Sequence, residues 1–140
     1  IDQKIEKKLN MKIFKIFEEK GENFFRKIEE KLTLNILKKK NIVISLGGGG
    51  FLNKKIRNEI LTNHTSIWLD WDSKTLINRI KKSKKRPLAF NFSKDDLLKL
   101  IKKRSFIYSK SLYKINCDYL TKNEIVNKVL NLYENKKNNS

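Results

Sequence analysis

Three short apolar runs, set between amphipathic stretches, constrain this chain more than any other feature, because such alternation has few packed solutions. The first run, Ile42-Val43-Ile44-Ser45-Leu46, closes on four glycines, Gly47 to Gly50. Its β-branched character predicts a buried parallel strand feeding a tight turn. Ser66-Ile67-Trp68-Leu69-Asp70 reads as a second buried strand, and Ile115-Asn116-Cys117-Asp118-Tyr119-Leu120 as a third, shorter one. Strands alternating with helices predict an α/β fold over residues 1–140, a three-layer domain in which helices flank a parallel sheet.

The helices follow from apolar spacing. Ile5, Leu9, Ile13, Ile16 and Phe17 recur every three or four residues, which predicts a helix from Lys4 to about Lys20 with a break near Asn10. Gly21 supplies a stop. A second helix carries Phe24, Phe25, Ile28, Leu32 and Leu37 and ends in Lys38 to Lys40. Ile56, Ile60 and Leu61 mark the next, and Asp72 or Ser73 caps another that holds Leu76, Ile77 and Ile80 and ends in Arg79, Lys81 and Lys82. From about 81 to 92 the periodicity breaks around the single proline, Pro87, which predicts a mobile, strongly basic loop. Ser93-Lys94-Asp95-Asp96 has capping-box-like spacing ahead of Leu97, Leu98, Ile101, Ile107 and Tyr108, and Thr121 to Glu124 caps a last helix.

Composition excludes several classes. One cysteine, Cys117, and one histidine, His64, leave no internal disulfide and too few soft ligands for zinc. Cys117 reads as a packing residue in a reducing cytoplasm. No run of about 18 apolar residues occurs, and Ile1-Asp2-Gln3-Lys4 carries neither a signal core nor an initiator methionine, so the chain reads as a soluble interior fragment with no membrane contact.

The net charge of +18 invites a nucleic-acid reading, since basic faces gain affinity by counterion release. Lysine, asparagine and isoleucine are enriched together, however, and their codons are all A/T-rich, so genome composition accounts for the excess. Against that background the five arginines, Arg26, Arg57, Arg79, Arg86 and Arg104, stand out as candidates for work that needs a planar guanidinium fork.

Taken singly, the candidate residues have plain readings. Arg26 and Glu29, three apart on a helix, make an ordinary surface ion pair, and Gly47 to Gly50 an ordinary strand-to-helix turn. Lys81 to Arg86 looks like a basic patch as much as a solvated loop, and Asp2 could be a frayed terminus.

Their order changes the reading. Asp2-x-x-Ile5-Glu6, Gly21-Glu22, Phe25-Arg26-x-x-Glu29, Leu46-Gly47-Gly48-Gly49, Arg86-Pro87-Leu88 and Arg104-x-x-x-Tyr108 together resemble the shikimate kinases, and the resemblance covers essentially the whole chain. It implies a P-loop fold like that of the nucleoside-monophosphate kinases and ATP-dependent phosphorylation of the shikimate 3-hydroxyl on the route to aromatic amino acids. Arg26 and Arg104 would clamp the substrate carboxylate, and Asp2 would bind the attacking hydroxyl and accept its proton. Gly47, Gly48 and Gly49 would let backbone approach the substrate ring. Arg79 would pack near the adenine, Arg86 would reach the phosphates from a lid spanning about 81–92, and Ser45 would touch the Mg²⁺ shell through water. The implied cofactors are ATP and Mg²⁺, and the implied state is a cytoplasmic monomer.

One family element is not in these residues. No Gly-x-x-x-x-Gly-Lys-[Ser/Thr] occurs, so the phosphate-cradling loop and its strand are expected upstream of Ile1, and the 140 residues alone are expected to be marginal or inactive. A gluconate-type or other small-molecule kinase shares much of the pattern and is the nearest rival; a basic nucleic-acid-binding domain is the remote one.

Overall fold

The computed structural model describes residues 1–82 and 92–138. Helix α1 spans Asp2–Leu9 and α2 spans Ile13–Leu37. A single 3-10 turn, Gly50–Leu52, precedes α3, Lys54–Asn63. Strand β1, Ile67–Asp70, leads to α4, Ser73–Lys82; α5, Lys94–Tyr108, leads to β2, Tyr113–Asn116; and α6, Lys122–Asn138, follows.

Local chemistry sets these boundaries. Asn10 ends α1 in the left-handed region, at φ 47° and ψ 40°, which asparagine tolerates better than most residues. Gly21 sits at φ 78° and ψ 168° inside α2, so the sequence expectation of a stop there is met by a sharp kink rather than a full termination. Asn53 caps α3 by accepting from the Lys55 and Ile56 amides at 2.9 and 3.1 Å. The capping box at Ser93 and Asp96 is complete, with both reciprocal bonds formed. Asp72, rather than Ser73, accepts from the Thr75 amide at 2.9 Å.

Strands β1 and β2 run parallel, with Ile67 opposite Tyr113 and Asp70 opposite Asn116. Among the described residues the sheet has these two strands. Two strand expectations therefore need correction. The third run forms its ladder at Tyr113–Asn116, earlier than expected, and Cys117 follows the strand, fully buried. The run 42–46 is extended but joins no ladder among the described residues. Ile44 and Leu46 pack on the core while Val43 is 98% exposed, so the segment is buried on one face only, not on both. Hydrophobic alternation specifies an extended backbone; it cannot supply the neighbour that turns one into a strand.

The core lies in separate clusters. Leu37, Phe51, Ile56 and Ile60 form one, with Ile44, Leu46, Ile107 and Tyr108 packed against it. It joins α2, the turn after the glycines, α3 and the end of α5. Complete burial of Ile56 alone is worth about 1.5–3 kcal/mol. Ile5, Ile16 and Phe25 fix α1 on α2, and Ile77, Ile80 and Leu97 fix α4 on α5. The first two clusters hold the ends of α1, α2 and α5 around the glycine turn.

Candidate active site

The glycine run is the centre of the site. Gly50 N–H donates to the Gly47 carbonyl at 3.0 Å, closing a four-residue turn that continues into the 3-10 segment. The far side of that segment is stapled by Arg57, whose Nη1 donates to the carbonyls of Phe51 and Leu52 at 3.0 and 2.9 Å. Asn53 Nδ2 donates to Glu30 on α2 at 2.7 Å. The turn is thus tied to two helices.

Four side chains crowd it. A Cβ placed on Gly47 would lie 3.3 Å from Oδ1 of Asp2 and 3.6 Å from Oε1 of Glu29. One on Gly48 would lie 3.1 Å from Nη1 of Arg104, and one on Gly49 would overlap the Arg26 guanidinium, 2.6 Å from its Cζ. Any side chain at Gly49 would displace Arg26, which gives a steric reason for glycine where no unusual φ demands it. The structure therefore brings together Asp2 from α1, Arg26 from α2, Gly47, Gly48 and Gly49, and Arg104 from α5.

Arg26 is held by two carboxylates. Its Nη1 donates to Glu29 Oε2 at 2.6 Å and its Nε to Glu22 Oε1 at 3.1 Å. Glu29 is buried, at 3% exposure, so the pairing is no ordinary surface contact. Burial works against the Arg26 charge, but the hydrogen bond and charge of Glu29, followed by those of Glu22, outweigh it and hold Arg26 above its ordinary value. Among the described residues Arg104 has no such carboxylate pair, and its Nε is buried without a hydrogen-bond partner. A buried N–H that goes unpaired is costly, and an acidic ligand would satisfy it.

The remaining sequence candidates fall elsewhere. The Arg79 guanidinium lies 3.8 Å from the ring centroid of Trp71, just beyond the C-terminal end of β1. There the Asp72 amide donates to Asp118 Oδ1 at 2.8 Å, and the Cys117 amide to the Asp70 carbonyl at 2.8 Å, so the two loops leaving the strands are stitched together. Ser45 is exposed in the extended segment before the glycines. Arg86, Pro87 and most of the expected lid lie outside the described residues. No three carboxylate, histidine or cysteine groups gather among the described residues, so these residues do not fit a protein-built cage for Mg²⁺, and no chemistry is assigned to Ser45 through it.

Sequence reasoning gave no role to the groups that support the site. Tyr108 donates its hydroxyl to the Gly48 carbonyl, and Arg57 and Asn53 brace the turn. The Arg104-x-x-x-Tyr108 spacing, one helical turn, was the available signal for the first, and the scarcity of arginine for the second.

Comparison with known proteins points the same way as the geometry. The family described as "Shikimate kinase" matches residues 1–134. A shikimate kinase from Bacillus subtilis is 40% identical over 134 residues, covering 93% of this chain and 71% of that protein. One from Bartonella henselae is 40% identical over 116 residues, covering 82% of this chain and 55% of that protein, so the chain spans little more than half of that relative. Among solved structures, shikimate kinase from Acinetobacter baumannii in complex with shikimate superposes with a TM-score of 0.89 at 26% identity, over 97% of this chain and 77% of that one. That of Aquifex aeolicus gives 0.83 at 32% identity, over 97% and 80%. Arginines from two helices meeting on a glycine turn, the P-loop kinase architecture of the solved neighbours and a family match running from Ile1 to Glu134 agree: the chain belongs to the shikimate kinase family.

Proposed function

We propose that the protein catalyses ATP-dependent phosphorylation of the shikimate 3-hydroxyl, and that the described residues form its shikimate site. The observation that carries this is the approach of Arg26 and Arg104 to neighbouring glycines, with the Asp2 carboxylate one residue further along the turn.

Each group has a task suited to its chemistry. Arg26 and Arg104 bind the substrate carboxylate, the latter with an N–H that is otherwise unpaired. Glu29 and Glu22 fix the Arg26 fork, which limits what is lost in ordering it on binding. Gly47 to Gly49 line the ring. Asp2 accepts a hydrogen bond from the 3-hydroxyl and takes its proton as that oxygen bonds to the γ-phosphorus of ATP; the bond from that phosphorus to the β–γ bridging oxygen breaks, and ADP leaves. Arg79 is assigned to the adenine side and Arg86 to the transferring phosphates.

The reading carries with it a cytoplasmic, monomeric enzyme of aromatic amino-acid synthesis that binds neither nucleic acid nor membrane. Among the described residues no helix is long and apolar enough to cross a membrane. Competition binding tests the substrate. Shikimate is expected to displace a labelled analogue where gluconate does not, and Arg104→Ala is expected to abolish that displacement. A preference for gluconate, or salt-steep binding to duplex DNA unaffected by Arg104→Ala, overturns the assignment.

A further inference from the structure

We infer that Tyr108 is a positioning residue of this site: its hydroxyl fixes which way the peptide between Gly48 and Gly49 faces. The functional half of the inference rests on the shikimate reading above; the structural half does not.

The turn from Gly47 to Gly50 is closed by its first carbonyl and last amide. Gly49, its third residue, has φ −100° and ψ −20°, the geometry of a type I turn. The type II alternative flips the central peptide by roughly half a rotation and needs φ of about +80° at that same residue. A side chain would forbid the flip, but glycine adopts either sign of φ with little cost. With glycine at both central positions, the turn's own backbone does not choose between the two forms.

The choice comes from α5. Tyr108 donates its hydroxyl to the carbonyl of Gly48, which is the oxygen of the flippable peptide. Its ring is seated between Phe51 and Trp68, with centroids 6.4 and 6.1 Å away, so packing aims the hydroxyl. Because the peptide is planar and trans, its C=O and N–H point in opposite directions. Holding the Gly48 oxygen toward Tyr108 turns the Gly49 N–H to the other side of the turn. Arg104, one helical turn before Tyr108, lies against Gly48, and Arg26 lies against Gly49. A flip would exchange a donor for an acceptor in the turn that both cations flank, and so change what an acidic ligand meets there.

Glycine labelling with ¹⁵N reads this directly, because the chain has five glycines and four of them are in the turn. In Tyr108→Phe the ring packing stays and the hydroxyl goes. The Gly49 and Gly50 amide signals are expected to move or double while Gly21 stays in place, and the shikimate Kd is expected to rise about five- to tenfold, the size of one lost hydrogen bond. Unchanged Gly49 and Gly50 signals beside a native Gly21 signal overturn the inference. On the unmodified chain the Tyr108 ring protons next to the hydroxyl are expected to show a through-space cross-peak to the glycine turn. Its absence overturns the inference however the variant folds. If the glycine signals respond but neither chain binds shikimate, the peptide lock stands and the substrate reading falls.

Discussion

Nη1 of Arg26 lies 2.6 Å from Oε2 of Glu29, a buried residue with 3% of its area exposed beside the glycine turn. A charge-assisted bond of this kind contributes about 1.5–3 kcal/mol. Glu29→Gln keeps the shape and removes the charge, leaving Glu22 as the one carboxylate bonded to Arg26 among the described residues. Shikimate affinity measured by calorimetry is expected to fall roughly tenfold, whereas Glu22→Gln, at the exposed end of the same guanidinium, is expected to cost about threefold or less.

Gly49→Ala tests the seat of Arg26 on the turn. The new methyl would occupy the place of the Arg26 guanidinium, and that side chain, partly exposed, has room to swing out. Shikimate affinity is expected to drop on the order of 100-fold, as the arginine loses its charge-assisted bonds, and Tm is expected to fall as well, because Glu29 stays buried without its cation. Gly48→Ala meets Arg104 at 3.1 Å and is expected to be milder. Equal losses for both would show that the turn, not the arginine, is the sensitive element.

The exposed and buried faces of the extended segment and its core should respond very differently. Val43→Thr, at a side chain 98% exposed, is expected to change stability by about 0.5 kcal/mol or less. Ile56→Ala, in the fully buried core beside Phe51, is expected to cost about 2–5 kcal/mol. Denaturant melts of the two variants check both. A large loss for Val43→Thr would mean that the segment has a partner in solution.

Acid should loosen the helix starts. Asp96 is held below its ordinary value of 3.8 by the Ser93 hydroxyl and amide, and Glu124 below 4.5 by the Thr121 hydroxyl and amide. A carboxyl with a depressed folded pKa stabilises the fold above its ordinary value, and that contribution is lost as pH falls through the folded one. Tm is therefore expected to decline as pH drops through 4.5 and past 3.8, and Asp96→Asn is expected to flatten that decline. An unaltered profile in this variant would remove the cap from the account.

The helices were legible because their causes are local. Apolar spacing, the Asn10 break, the Gly21 kink and the Ser93 box each act within a few residues, and each stands where the sequence puts it. The segment 42–46 was only half legible, since alternation reports conformation while a strand also needs a partner. The site shows the same division. Asp2, Arg26, the glycines and Arg104 could be named from motif order, and the fold brings them together. That Tyr108 reaches the Gly48 carbonyl, sixty residues away, depends on how helices dock, which no local pattern records, whereas the reach of Arg57 to Phe51 and Leu52 and of Arg79 to Trp71 is local but has no periodic signature.

The chain has two tryptophans, and each lies beneath a cation: Trp68 with Lys114 at 4.7 Å, and Trp71 with Arg79 at 3.8 Å. Both contacts exist only when the loops and strands are assembled. Intrinsic emission is thereby a built-in optical gauge of assembly, and a Trp68→Phe background would leave a single indole whose colour reports whether Arg79 stays in place when nucleotide is added.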